Sequence, residues 1–183
     1  MPKIIPPAAF LHECLTYNAN TGALIWKSRP RRHYHSYHAW ICWNARFPGK
    51  VAGSPDARDY IIICIDDIRY KAHRVIWMMQ TGEQPPPLMD HRKRGPTENR
   101  WKNLRAATPQ QNSFNQRKRS DQRLSKGVCI QDGRHRATAG LRGRKVSLGM
   151  YDTSDEAHAA WHDFASKHHG EFFNDGGDDD HRK

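Results

Sequence analysis

Apolar and polar positions organise the chain into short elements. Tyr60 followed by Ile61-Ile62-Ile63-Cys64-Ile65 is a strongly β-prone run. Asp66-Asp67 supplies a turn, and Ile68 to Ala72 alternates as the partner strand. Upstream, residues 8–17 read as a short helix. The turn Asn20-Thr21-Gly22 and the strand Ala23-Leu24-Ile25-Trp26 follow. Residues 28–48 are rich in Arg, His, Tyr and Trp without a period and predict a loop, after which Gly49 to Gly53 starts a set of strands. His73 to Gln80 reads as a helix whose apolar surface is Val75, Ile76, Trp77 and Met79. Gly82 stops it, and Pro85-Pro86-Pro87 forbids its continuation.

The next stretch has the order strand, loop, strand, helix. Leu88 to His91 is a short extended piece, Arg92 to Lys102 a polar basic loop, and Asn103 to Ala107 a second short strand. Thr108-Pro109-Gln110-Gln111 is a helix start, with Thr as the cap, Pro at the first helical position and Gln completing a capping box. Asn112 and Asn115 then fall in the first turns of that helix. Beyond the basic stretch 117–126, three strands and a helix are expected. In the second strand His135, Ala137, Ala139 and Leu141 share one face, and Arg134, Arg136, Thr138 and Arg142 the other. In the third, Val146, Leu148 and Met150 point one way. The capping box Thr153-Ser154-Asp155-Glu156 opens a helix whose stripe is Ala157, Ala160, Trp161, Phe164 and Ala165. The expected class is α+β: a mixed N-terminal region with a ββα core, then a C-terminal three-stranded antiparallel sheet plus one helix. The expected domains are 1–116 (ββα core about 88–116), a basic linker at 117–126, the sheet–helix domain at 127–174, and an acidic tail at 175–183.

Composition narrows the function. Of 183 residues 37% are hydrophobic, which suits small cores, and 30 Lys+Arg against 19 Asp+Glu give a net charge of +11. No run approaches the length of a transmembrane helix. Two early prolines interrupt the apolar stretch that a signal peptide would need, so a cytoplasmic location is expected. Four scattered cysteines without a C-x-x-C indicate neither a zinc site nor a disulfide framework. The charge is concentrated: residues 90–126 hold 11 basic and 3 acidic side chains. Such a balance points to a polyanionic partner, most simply double-stranded DNA.

Asp90-His91, Asn103 and Asn112 carry the candidate chemistry. If the two short strands pair and the helix folds across them, the four converge. A carboxylate and a carboxamide oxygen are hard ligands suited to one Mg²⁺ or Mn²⁺, leaving room for phosphate and water. His91 has the chemistry of a general base for water, and Asn103 would hold His91 or its loop.

The pattern D-H…N-L…N at Asp90-His91, Asn103-Leu104 and Asn112, within residues 72–116, resembles the HNH (ββα-metal) nuclease motif in the form found in phage homing endonucleases. Trp43-Asn44 and Tyr60-Ile61 look like the N-terminal part of such proteins. The resemblance implies His91 as general base, Asp90 and Asn112 as ligands of one divalent cation, and Asn103 as a structural member of the catalytic set. GVCIQ, LGMYDTSDEAHAAW and HHGEFFN, within 126–174, are similar to the Apetala-two-type DNA-binding domain often fused to these nucleases.

The function expected is a metal-dependent, site-preferring endonuclease, acting as a monomer that nicks one strand of DNA, without zinc. Arg134, Arg136, Arg142, Arg144 and Lys145 of the C-terminal sheet are expected to face DNA. Arg92, Lys93 and Arg94 of the loop, and Arg117, Lys118, Arg119 and Arg123 of the linker, are expected to meet phosphates. His73 reads as a core residue, and Asn115 as either a phosphate contact or a solvated amide. His33, His35 and His38 suit a DNA-contacting or mobile loop better than a metal site, since no carboxylate lies nearby in sequence. The alternative, a non-catalytic DNA-binding regulator built on the C-terminal domain, would bind DNA without cutting it.

Overall fold

The computed structural model describes residues 3–93, 95–116 and 123–176. Arg94, Arg117, Lys118 and Arg119, and the tail beyond residue 176, lie outside the described residues. Among the described residues the fold is mixed α/β, with five α-helices and several small antiparallel sheets. It divides into two compact units, Met1–Ala106 and Ala107–Lys183.

The first unit contains α1 (Ala8–Cys14), β1 (Leu15–Tyr17), β2 (Leu24–Trp26), α2 (Tyr37–Arg46), β3 (Ser54–Pro55), β4 (Ile61–Ile65), β5 (Ile68–Lys71), α3 (Ala72–Thr81), β6 (Met89–His91) and β7 (Leu104–Ala106). The β4–β5 hairpin follows the expected pattern, with Asp66 and Asp67 both at positive φ (47° and 62°) in the two-residue turn. α3 ends at Gly82, whose φ of 75° closes the last turn. Its inward residues Val75, Ile76, Met78 and Met79 join Leu11, Leu15, Ile63 and Ile65 in one core.

Three expectations fail in this unit. The helix expected over 8–17 stops at Cys14, because Leu15 to Tyr17 pair in register with Trp26 to Leu24; strand pairing outcompetes a last helical turn. The loop expected over 28–48 contains a 3₁₀ turn at Arg31–His33 and the whole of α2. Ser36 caps α2 by accepting from the Ala39 N–H at 3.1 Å. None of the α2 residues is fully buried; Trp40 and Trp43, with Phe47 just past the end, form a half-buried stripe at helical spacing, which the exposed apolar residues Tyr37, Ile41 and Cys42 mask in the sequence. Nor is His33 a loop histidine. Its ring is 2.7 Å from a carboxylate oxygen of Glu13 and accepts from Arg29 Nε at 3.2 Å. Arg29 is itself buried, under the rings of Phe10, Tyr34 and Trp43, and pairs with Asp66 at 2.8 Å. The groups that hold His33 come partly from far along the chain, where spacing gives no sign of them.

The second unit contains α4 (Pro109–Asn115), β8 (Val128–Gln131), β9 (Arg134–Leu141), β10 (Arg144–Tyr151) and α5 (Ser154–His168). Both capping boxes form as read, at Thr108/Gln111 and Thr153/Glu156. The sheet order is β10-β9-β8, and Ala139 packs with Trp161 and Ala165 of α5. Gly127 (φ +81°) opens the sheet where a Cβ would fall inside the Trp161 indole. Lys126, at the end of the expected linker, is committed to structure: its Nζ donates to the carbonyls of Phe114, Gln116 and Asn174 at 2.7, 2.8 and 2.9 Å. A bulge at Leu148 overturns one alternation. Val146 stands opposite Ala139, but after the register shift Met150 stands opposite Arg136, so the two lie on different faces.

Candidate active site

β6 and β7 are three-residue strands, too short to be stable alone. Their register places Asp90 opposite Arg105 and His91 opposite Leu104. Side chains directly opposite share a face, and neighbours along a strand take opposite faces. Asp90 and Arg105 therefore meet. Arg105 donates from Nε (2.8 Å) and Nη2 (2.6 Å) to Asp90 Oδ2, and both residues are buried.

His91 is also buried, 7% exposed. Its Nε2 lies 3.2 Å from Asn99 Oδ1. A carboxamide oxygen only accepts, so Nε2 carries the hydrogen, and in the neutral ring the lone pair sits on Nδ1. The His73 ring stands edge-on to it, centroids 5.1 Å apart, and Tyr60 packs at 6.3 Å. Burial pushes the His91 imidazole below its ordinary value, against the opposing pull of the Asn99 bond and the nearby Asp90 and Glu98. Burial and the neighbouring His91 push His73 down to about 3, which fits its reading as a core residue.

Asn103 organises the loop between the strands. Its Oδ1 accepts from the Lys93 N–H at 2.7 Å and its Nδ2 donates to the Glu98 carbonyl at 2.8 Å, while its own carbonyl accepts from the Arg92 N–H at 2.8 Å. The loop is thus tied at both ends to one buried carboxamide. A cleft of about 280 Å³ lies over it, lined by Arg92, Lys93, Glu98, Arg100, Lys102 and Asn103. A second cleft of about 350 Å³ runs past His73 and is lined by Lys3, Arg69, Lys71 and Arg74 among others, with no acidic side chain.

The four motif residues are divided between the units. Asp90, His91 and Asn103 belong to the first. Asn112 lies on α4, in the first turn after its Thr108 cap, and belongs to the second. Asn115 is buried, so a solvated amide is excluded. In the second unit Arg144, Lys145 and Arg123 are exposed, as are Arg92 and Lys93 in the first. Arg142 sits in the β9–β10 turn at φ 50°. Arg136 lies along the sheet, bonded to Gln131 Oε1 at 2.5 Å and Ser147 Oγ at 3.2 Å. Arg134 pairs with Asp152 at 2.7 Å. The folded strands bring an acid to an arginine that stands in an acid-free stretch of sequence.

Sequence reasoning missed Asn99 and Arg105. Asn99 sits in a loop without period. Arg105 becomes visible only when the β6–β7 register is known.

Comparison with protein families identifies an HNH endonuclease domain at residues 70–114, which takes in Asp90, His91, Asn103 and Asn112. That domain supports a nuclease function and implies DNA as the partner. No curated protein and no solved structure matches the chain. Among the described residues no helix is long and apolar enough to cross a membrane.

Proposed function

We propose that this protein is a metal-dependent DNA endonuclease that nicks one strand at a preferred site, with His91 as its general base. The observation that carries the reading is a buried imidazole, its Nε2–H turned toward Asn99, next in sequence to a buried carboxylate inside the HNH domain. An imidazole held in one neutral tautomer keeps its lone pair on a fixed atom. That is what abstraction of a proton from water requires.

The donor set suits a hard divalent cation. Asp90 offers carboxylate and Asn112 carboxamide oxygen. Arg105 engages Oδ2, and a carboxylate has about four lone-pair sites over its two oxygens. Among the described residues no group of three or more His, Cys, Asp or Glu forms a metal cluster. A site of one carboxylate and one carboxamide leaves its other positions to phosphate and water. Asp90 and Asn112 are the residues that would hold Mg²⁺ or Mn²⁺, by their places in the motif. When bound, the cation supplies positive charge to the phosphodiester oxygens and the departing 3′-oxygen.

His91 Nδ1 takes the proton of a water that attacks phosphorus in line. Asn99 stabilises the imidazolium that forms by leaving Nε2–H bonded, and Asn103 holds the loop that carries Asn99. Arg92, Lys93 and Lys102 line a basic cleft that suits a phosphate backbone. Arg123, Arg136, Arg142, Arg144 and Lys145 provide further contacts, with Arg94, Arg117, Lys118 and Arg119 contributing from the sequence alone. One such centre makes one cut, so a monomer gives a nick.

A supercoiled-plasmid assay tests the proposal. Relaxed circles form with Mg²⁺ and not with EDTA, and His91→Ala abolishes them while DNA binding persists. Undiminished nicking by His91→Ala removes the assignment, and binding with no cut under any divalent cation favours the regulator.

A further inference from the structure

We propose that Tyr17, at the end of β1, is a positioning residue for His91, acting through the backbone and carboxamide of Asn99. The inference deepens the reading above and rests on it for its catalytic meaning. The N-terminal hairpin, outside the HNH match, then forms part of the site's framework.

The Tyr17 hydroxyl uses both of its hydrogen-bonding capacities on the loop that holds Asn99. It accepts from the Trp101 N–H at 2.7 Å and donates to the Asn99 carbonyl at 3.3 Å. One oxygen therefore fixes the chain at residues 99 and 101. The turn after Tyr17 presses on the same place. Gly22 has φ +75°, and a Cβ there would lie 2.5 Å from Arg100 N and 2.6 Å from the Asn99 carbonyl carbon. Only a glycine lets the two backbones approach so closely. The turn is itself held, since Asn18 Oδ1 accepts from the N–H groups of Asn20 and Thr21 at 3.0 and 3.2 Å. From the other side, Asn103 Nδ2 ties the Glu98 carbonyl. The Trp101 indole packs against Trp77 of α3 at 5.2 Å.

Asn99 is thus clamped at its carbonyl, at the preceding residue and two residues on, and the residue is 3% exposed. What it delivers is the 3.2 Å contact with His91 Nε2. That distance is at the long end of the hydrogen-bond range, so a shift of a few tenths of an ångström in the Asn99 backbone breaks it. A hydroxyl that sets this backbone also sets which His91 nitrogen carries the proton. Without it the Asn99 carboxamide no longer favours the hydrogen on Nε2, and the share of rings with the lone pair on Nδ1, where the attacking water needs it, falls.

The test is Tyr17→Phe in the full-length chain, which keeps the ring and deletes the oxygen. Long-range ¹H–¹⁵N spectra at a pH where the ring is neutral report the tautomer directly. In the parent protein His91 shows one protonated nitrogen, Nε2, and one unprotonated, Nδ1. In Tyr17→Phe the two resonances move toward each other, as they do further in Asn99→Ala. The nicking rate at saturating DNA falls about ten- to a hundred-fold, with DNA affinity unchanged. Unmoved His91 nitrogens in a folded Tyr17→Phe overturn the proposal, since a merely structural hydroxyl changes stability without touching the tautomer. Should Tyr17→Phe lose its fold, Gly22→Ala keeps the hydroxyl but pushes on the same peptide. It is read in the same spectrum with the same two outcomes. The spectrum judges the positioning link and the nicking rate judges the base. Moved nitrogens with undiminished nicking overturn His91 as base and leave the link standing.

Discussion

Arg105 points two N–H groups at a single oxygen of Asp90, across a strand pair in which the two residues stand directly opposite. The side chains are 6% and 8% exposed. Neither charge has bulk water to fall back on. Removing one partner of a buried pair typically costs about 3–5 kcal/mol, because the other is left uncompensated. Arg105→Ala should therefore lower stability by that amount in urea unfolding. A loss under about 1 kcal/mol would contradict a dominant role for this pair in the stability of the first unit.

The imidazole of His73 gives the first unit an acid sensitivity. Its value is pushed down to about 3 by burial and by His91, against an ordinary value of about 6.5 in the unfolded chain. Between those limits the unfolded state binds the extra proton and the folded state does not. The stability is fully present above about pH 6.5 and is lost as pH falls toward 3, with a slope of at most about 1.4 kcal/mol per pH unit from this group. Denaturant midpoints at pH 7 and pH 4.5 should differ less in His73→Leu than in the parent protein. Equal differences would show that other groups carry the acid response.

Gly127 leaves no alternative residue at the start of the second unit's sheet. It combines φ +81° with the Trp161 ring where a Cβ would stand. Gly127→Ala has to move Trp161, which belongs to the small Ala139–Ala165 core. The expected cost is more than about 1 kcal/mol, visible as a lower melting temperature and a changed Trp emission. An unaltered melting curve would refute the close approach.

The open face of the same sheet makes a prediction about salt. Arg136 is laid along it by Gln131 and Ser147, and Lys145 is exposed. If both meet phosphates, Arg136→Ala and Lys145→Ala each weaken DNA binding nearly uniformly across sequences. Each also reduces the slope of log K against log salt by about 1. Arg134→Ala should do less, because Asp152 already pairs with that side chain. An equal loss at position 134 would contradict the distinction.

Much of the fold is written locally. The Asp66-Asp67 hairpin, the Gly82 stop, both capping boxes and the Trp161 stripe depend on residues within a few positions of one another, so spacing reveals them. α2 is harder to read in that way, because its stripe of Trp40, Trp43 and Asn44 is only half-buried and the exposed apolar Ile41 and Cys42 interrupt it. The third strand of the C-terminal sheet misleads for another reason: a single extra residue at Leu148 reverses the faces beyond it.

The sequence by itself determined which groups are available for chemistry: an acid and an imidazole side by side, two asparagines at motif spacing, and a basic stretch around them. Identity and spacing survive any folding. Tertiary structure alone decided their partners. Arg105 reaches Asp90 through strand register, and Asn99 reaches His91 through a loop clamped by Tyr17. Contacts between residues far apart in the chain leave no period to read. Their distances are set by how the backbone closes, and a hydrogen bond is made or lost within a few tenths of an ångström.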